Sequence, residues 1–90
     1  MSYKIGMKQI TITKEAIKTL NKLPKNVKAR IRSKIDQYAS DPESMKNNVK
    51  KLQGEFEGVY RLRVGDWRVF FTEDGKVIAV IKIRPRGGAY

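Results

Sequence analysis

Ninety residues without a cysteine or a histidine exclude a disulfide framework, thiol chemistry, the usual zinc ligand sets and imidazole-based proton transfer. Twenty Lys and Arg against nine Asp and Glu give a formal net charge of +11, a field that concentrates polyanions without choosing among their sequences. No stretch resembles a signal peptide and no apolar run approaches the roughly 20 residues of a membrane span, so one soluble, cytoplasmic domain over residues 1–90 is expected.

Ile10 and Ile12 alternate with Thr11 and Thr13, which predicts a first strand over Lys8 to Ile12. Thr13 is placed to cap a helix, with Glu15 in the first turn where the dipole favours it. Ala16, Leu20 and Leu23 follow at helical spacing and Pro24 sets a boundary, so the helix is expected over Lys14 to Lys22. A second helix starts from Pro24. Val27, Ile31, Ile35 and Tyr38 form its apolar stripe, Lys25, Lys28, Arg32 and Lys34 lie opposite, and Ser40-Asp41-Pro42 ends it. Cations on the outer side of such a helix are as a rule solvated. Glu43 to Gly58 reads as loop, with Lys50-Lys51-Leu52 a short strand or an anchored turn, and Leu52 is expected in the core.

Tyr60 to Tyr90 holds most of the information. Gly65-Asp66 and Asp74-Gly75 are signals for two-residue hairpin turns, and β-branched and aromatic residues alternate between them. The fold class is therefore α+β: an N-terminal strand, an αα-hairpin and an antiparallel three-stranded meander, the helices packed on one sheet face. Folding about the first turn sets Arg63 opposite Arg68 and Leu62 opposite Val69. Folding about the second sets Phe71 opposite Ile78 and Val69 opposite Val80. Tyr60, Leu62, Val64, Trp67, Val69, Phe71, Ile78 and Val80 then share the core face. Arg61, Arg63 and Arg68 share the other, among Phe70, Ala79, Ile81 and Ile83.

Two arginines opposite each other on antiparallel strands repel, and a third on the same face adds to the conflict. Solvation accounts easily for one such arginine. Three, without an acidic neighbour in the inferred patch, point to an anionic ligand, and phosphate suits the two-pronged guanidinium. The tail leaves the sheet at Pro85, which has no N–H for a ladder, and carries Arg86 and the aromatic Tyr90. It is either a frayed end or a second support for a nucleotide, one residue binding phosphate and the other stacking a base.

The strand and helix pair, Lys51-Leu52-Gln53-Gly54, the run Tyr60-Arg61-Leu62-Arg63-Val64-Gly65-Asp66-Trp67-Arg68-Val69 and the ending Pro85-Arg86-Gly87-Gly88-Ala89-Tyr90 resemble the RelE/ParE toxin superfamily over essentially the whole chain. The tail is similar to the RelE branch. The resemblance implies a microbial-ribonuclease-like fold and the toxin of a type II toxin–antitoxin system that cuts messenger RNA in the ribosomal A site. It implies Arg61, Arg63, Arg68, Arg86 and Tyr90 as catalytic residues; Lys50, Lys51, Lys82 and Arg84 are expected as further RNA contacts. No cofactor and no metal are implied. The expected partners are the ribosome, messenger RNA and a small acidic antitoxin, partly disordered when free, with no membrane involved. Some RelE toxins carry Lys where this chain has Arg61 and Arg63, and relatives often carry His at Pro85. Two rivals remain open from sequence: a ParE-like inhibitor of DNA gyrase, and an RNA- or ribosome-binding module that does not cut.

Overall fold

The computed structural model describes residues 1–54 and 57–87. Strands β1 (Ser2–Ile5) and β2 (Lys8–Ile12) lead into helices α1 (Lys14–Asn21) and α2 (Lys25–Ser40). A 3-10 turn (Pro42–Met45) precedes β3 (Val49–Lys51), β4 (Val59–Val64), β5 (Trp67–Glu73) and β6 (Val77–Pro85). The strands form one sheet in the order β1-β2-β6-β5-β4-β3. The expected meander is its β4–β6 portion, and the predicted first strand is β2. It pairs parallel to β6, Ile10 facing Ile78 and Ile12 facing Val80, so the first and last thirds of the chain close on each other. The lysine-rich loop forms a short edge strand, and β1 extends the opposite edge through a hairpin at Gly6, whose φ is 58°.

Both helices cover the same face. Ala16 and Leu20 of α1 and Ile31, Ile35, Tyr38 and Ala39 of α2 join Ile10, Ile12, Leu62, Val64, Val69, Phe71, Ile78, Val80 and Ile83 in one buried cluster. Tyr60 and Trp67 pack against it half-buried. Phe71 is its aromatic centre, with Tyr38 at a ring distance of 5.1 Å and Tyr60 stacked at 5.4 Å. Leu52, expected in the core, is half-buried outside this cluster, because it lies past the end of β3 on the sheet's edge. No helix of the described residues is long and apolar enough to cross a membrane.

The β4–β5 register is the expected one: Arg63 faces Arg68 and Leu62 faces Val69. The next hairpin differs in two ways. Asp74 bonds to Val77 across the turn, so Gly75-Lys76 is the loop, one residue later than Asp74-Gly75. The Asp74 carboxylate explains the displacement, since it accepts the Lys76 and Val77 amides at 2.9 and 2.7 Å. Those amides hold its pKa below the ordinary aspartate range. Phe71 consequently faces Val80 rather than Ile78. A two-residue slip keeps each side chain on its face.

The second difference does change faces. The register shifts between Phe70 and Phe71, so that Phe70 faces Lys82, Val69 faces Ile83 and Arg68 faces Arg84. Ile81 is left as the extra residue of a β-bulge. The shift buries Ile83, expected on the arginine face, and turns Lys82 and Arg84 away from the core. Simple alternation would have left Ile83 in water and pointed two charges at the helices.

Thr13 holds the bulge in place. Its hydroxyl donates to the Ile81 carbonyl at 3.1 Å and accepts the Ala16 amide at 3.2 Å as the α1 cap, while its own amide donates to the Val80 carbonyl at 3.0 Å. Thr13→Val removes the hydroxyl and keeps the shape. Loss of the cap and of the donor to the bulge's Ile81 carbonyl together cost about 2 kcal/mol, to be read as a lower urea midpoint with an unchanged slope.

Two phenols tie the layers together. Tyr38 donates to Glu73 at 2.7 Å, and Lys8 pairs with the other oxygen of that carboxylate at 2.9 Å. Tyr3 donates to Asp36 at 2.7 Å beneath the Arg32 guanidinium. Burial first, and then the carboxylate beside it, pushes the Tyr3 pKa up to about 12 and raises that of Tyr38 as well. A raised phenol pKa favours the protonated folded state, so this stability is complete below the unfolded value near 10 and is lost as pH climbs toward 12. In denaturation curves from pH 8 to 12, the margin of the wild type over Tyr3→Phe is expected to hold up to about pH 10 and to shrink above it. A constant margin would contradict the assignment.

Candidate active site

The face left open by the helices is the cationic one. Pairing across β3–β6 lines up Lys50, Arg61, Phe70 and Lys82 in one row, and Arg63, Arg68 and Arg84 in the next but one. Core residues Leu62, Val69 and Ile83 occupy the intervening row and point the other way. Two residues along a strand span roughly 7 Å, so the two rows form a compact grid of charge. Phe70 is 4% exposed yet stands outside the main hydrophobic cluster; it is a buried ring on the charged side of the sheet.

A cleft of about 400 Å³ lies over this grid, lined by Lys46, Asn47, Asn48, Val49, Lys50, Arg61, Arg63 and Arg68. Five of these side chains are cationic and none is acidic. The Arg68 guanidinium donates to the Gly65 and Trp67 carbonyls, both at 3.0 Å, which fixes it against the turn that aligns β4 with β5. Gly65 makes that turn with a φ of 56°, and the Arg30 guanidinium lies 3.2 Å from where a Cβ would stand. Arg61 and Arg63 have no side-chain acceptor among the described residues. Mutual repulsion thus persists across Arg63 and Arg68 with two guanidiniums held ready for an anion.

The expected residues do not all meet in one place. Arg61, Arg63, Arg68 and Lys50 meet at the cleft. Arg86 does not line the cleft; its amide donates to the Asp66 carbonyl at 2.6 Å, which brings the start of the tail beside the β4–β5 turn against which Arg68 is braced. Lys82 and Arg84 join the face through the bulge, although neither lines the cleft. The Arg84 guanidinium reaches Glu15 at 3.5 Å, and its Nε is buried with no partner among the described residues. Lys51 lies apart. It pairs with Tyr60, a residue of the core face, and lines a separate cleft of about 370 Å³ with Leu52, Gln53, Gly54 and Glu57. Tyr90 lies outside the described residues.

Lys46, Asn47 and Asn48 fall in the stretch read as loop and were not expected at the site, because a polar turn has no periodicity to expose it. They form the wall beside β4 because the Arg63 amide donates to the Asn48 carbonyl at 2.8 Å and Val49 pairs with Leu62. The only local signal was two adjacent amides just ahead of the lysine pair. Among the described residues no cluster of His, Cys, Asp and Glu is able to hold a metal ion.

Residues 10–90 match the family described as the ParE toxin of type II toxin–antitoxin systems. The chain belongs to the RelE/ParE toxin superfamily. Its RelE affinity comes from individual relatives. The toxin candidate RelE1 of Methanocaldococcus jannaschii is 33% identical over 84 residues, covering 90% of this chain and 92% of the relative. Toxin RelE3 of the same organism is 26% identical over 84 residues, covering 91% and 94%. The archaeal RelE–RelB complex of Pyrococcus horikoshii contains a chain 33% identical to this one, with a TM-score of 0.76 over 93% of this chain and all of that one. The isolated Escherichia coli RelE toxin, at 21% identity, shares the fold with a TM-score of 0.68 over 89% of this chain and 85% of its own. This RelE-branch chain thus carries its arginine grid on the sheet face that its helices leave open.

Proposed function

We propose that this RelE-type protein is a ribosome-dependent endoribonuclease that cuts messenger RNA in the A site, and that it does so in the cytoplasm, where translation occurs. The observation that carries the reading is the cleft: Arg61, Arg63 and Arg68 on two adjacent strands, with Lys46 and Lys50 on its wall and no carboxylate in its lining. The substrate's own 2′-hydroxyl gives its proton to water and attacks the adjacent phosphorus, and the P–O5′ bond breaks. The products are a 2′,3′-cyclic phosphate and a 5′-hydroxyl. Negative charge on the phosphorane grows during this step, and fixed guanidiniums stabilise that charge more than they stabilise the ground state.

Arginine keeps its proton, so Arg61 and Arg63 act by charge and position rather than as bases. Arg68, braced on the turn, orients the phosphate, and Arg86 adds a fourth guanidinium from the start of the tail. Tyr90, three residues past Gly87, stacks on a base or supplies the proton that the departing O5′ needs. A chain with no His or Cys and a cleft without carboxylates supports a metal-independent route. A site poor in acid–base groups relies on the ribosome to hold the message in line, and alignment of that kind lowers barriers by several kcal/mol. The partner we assign is an acidic antitoxin segment that orders over the basic surface as it binds; the P. horikoshii relative is found in complex with RelB.

Primer extension on messages from cells expressing the chain tests this reading. In-frame cuts at translated codons are expected. The matching family is named for ParE, and the gyrase reading predicts intact messages with arrested DNA replication instead. Growth arrest with neither effect would leave an RNA-binding module.

A further inference from the structure

The cleft wall carries two kinds of chemistry. Lys46 and Lys50 supply charge, whereas Asn47 and Asn48 supply neutral amides. Asparagine favours turns, and that alone explains its presence between a 3-10 turn and a strand. It does not explain why both residues line the same cleft as three phosphate-seeking arginines. Toward a phosphate an amide is the weaker donor. Toward a nucleobase it is the better one, because its carbonyl and amino groups present an acceptor beside a donor.

The wall is also rigid relative to the arginines. The Asn48 amide donates to the Met45 carbonyl and its carbonyl accepts the Arg63 amide, both at 2.8 Å. The backbone that carries Arg63 therefore holds these residues at a fixed offset. Neither side-chain amide bonds to a described residue, so both are available to a ligand. About 400 Å³ also falls within the size range of small-ligand sites, roughly 300–1,000 Å³, and exceeds what a bare phosphate requires.

We infer that Asn47 and Asn48 read the edge of the nucleobase beside the phosphate held by Arg61, Arg63 and Arg68, and so determine which codons are cut. The inference rests on the ribonuclease reading and adds a selectivity to it. Adenine is the base of best fit, its N6 donor and N7 acceptor matching an amide in two-pronged fashion.

Ribosomes programmed with messages that differ at one A-site base at a time provide the test. The wild type is expected to cut the adenine message at one codon position about fivefold or more faster than its counterparts. Asn47→Ala or Asn48→Ala flattens that ratio toward one, chiefly by slowing the adenine message. Asn47→Ser and Asn48→Ser keep the turn preference and add no charge while removing the paired donor and acceptor, and give the same flattening if an alanine variant does not fold. A wild type without base preference, or variants slowed equally on every message, would overturn the inference while leaving the ribonuclease reading intact. A wild type that cuts no message removes both.

Discussion

Arg63→Ala is expected to slow message cleavage on programmed ribosomes by about 10²–10³-fold, the usual consequence of removing one fixed donor from a developing anion. The same variant is expected to be as stable as the wild type or slightly more so. Arg63 faces Arg68 across the β4–β5 ladder, like charges so placed destabilise by a few tenths to about 1 kcal/mol, and no described acceptor holds the Arg63 side chain. Activity and stability then move in opposite directions. Arg68→Ala separates the two roles further, because it loses activity together with its bonds to the Gly65 and Trp67 carbonyls. Single-turnover cleavage and urea midpoints measured on both variants check this. An Arg63→Ala protein that is destabilised and fully active would mean that the grid serves the fold.

Phe71→Ala has the largest expected effect on stability. Phe71 is 2% exposed, between Tyr38 and Tyr60, and truncating such a ring costs about 3–5 kcal/mol. A chain of this size has little more than that to lose, so the variant is expected to be largely unfolded at 37 °C by circular dichroism. Phe70→Ala, one residue along on the opposite face, provides the contrast: it leaves the main cluster intact and lowers stability by less. Equal losses would show that the charged face has a core of its own.

The sequence was informative where the physics is local. Gly65-Asp66 admits one hairpin register, and that register placed Arg61, Arg63 and Arg68 together on one face. The β2 span and both helices followed from alternation, from the Thr13 cap and from the Pro24 boundary. The β5–β6 pairing resisted because two features broke the alternation. The Asp74 carboxylate captured the amides that decide where the turn falls, and the choice of Ile83 over Ile81 for the core depended on a hydroxyl from Thr13, 68 residues away. The parallel docking of β2 against β6 was equally invisible, since no residue in either strand announces a partner so distant in sequence. For the site, this meant that Lys82 and Arg84 were recognised as cations without a face, and that the Asn47-Asn48 wall was taken for ordinary loop.

A structure of the toxin on a ribosome carrying a message blocked by a 2′-O-methyl group at the cut site decides whether the arginine grid meets the scissile phosphate. Non-bridging oxygens of the scissile phosphate are expected within about 3 Å of guanidinium nitrogens from β4 and β5, with the helices turned away from the message. A message lying against the helical layer, or a scissile phosphate out of reach of Arg61, Arg63 and Arg68, would contradict this placement.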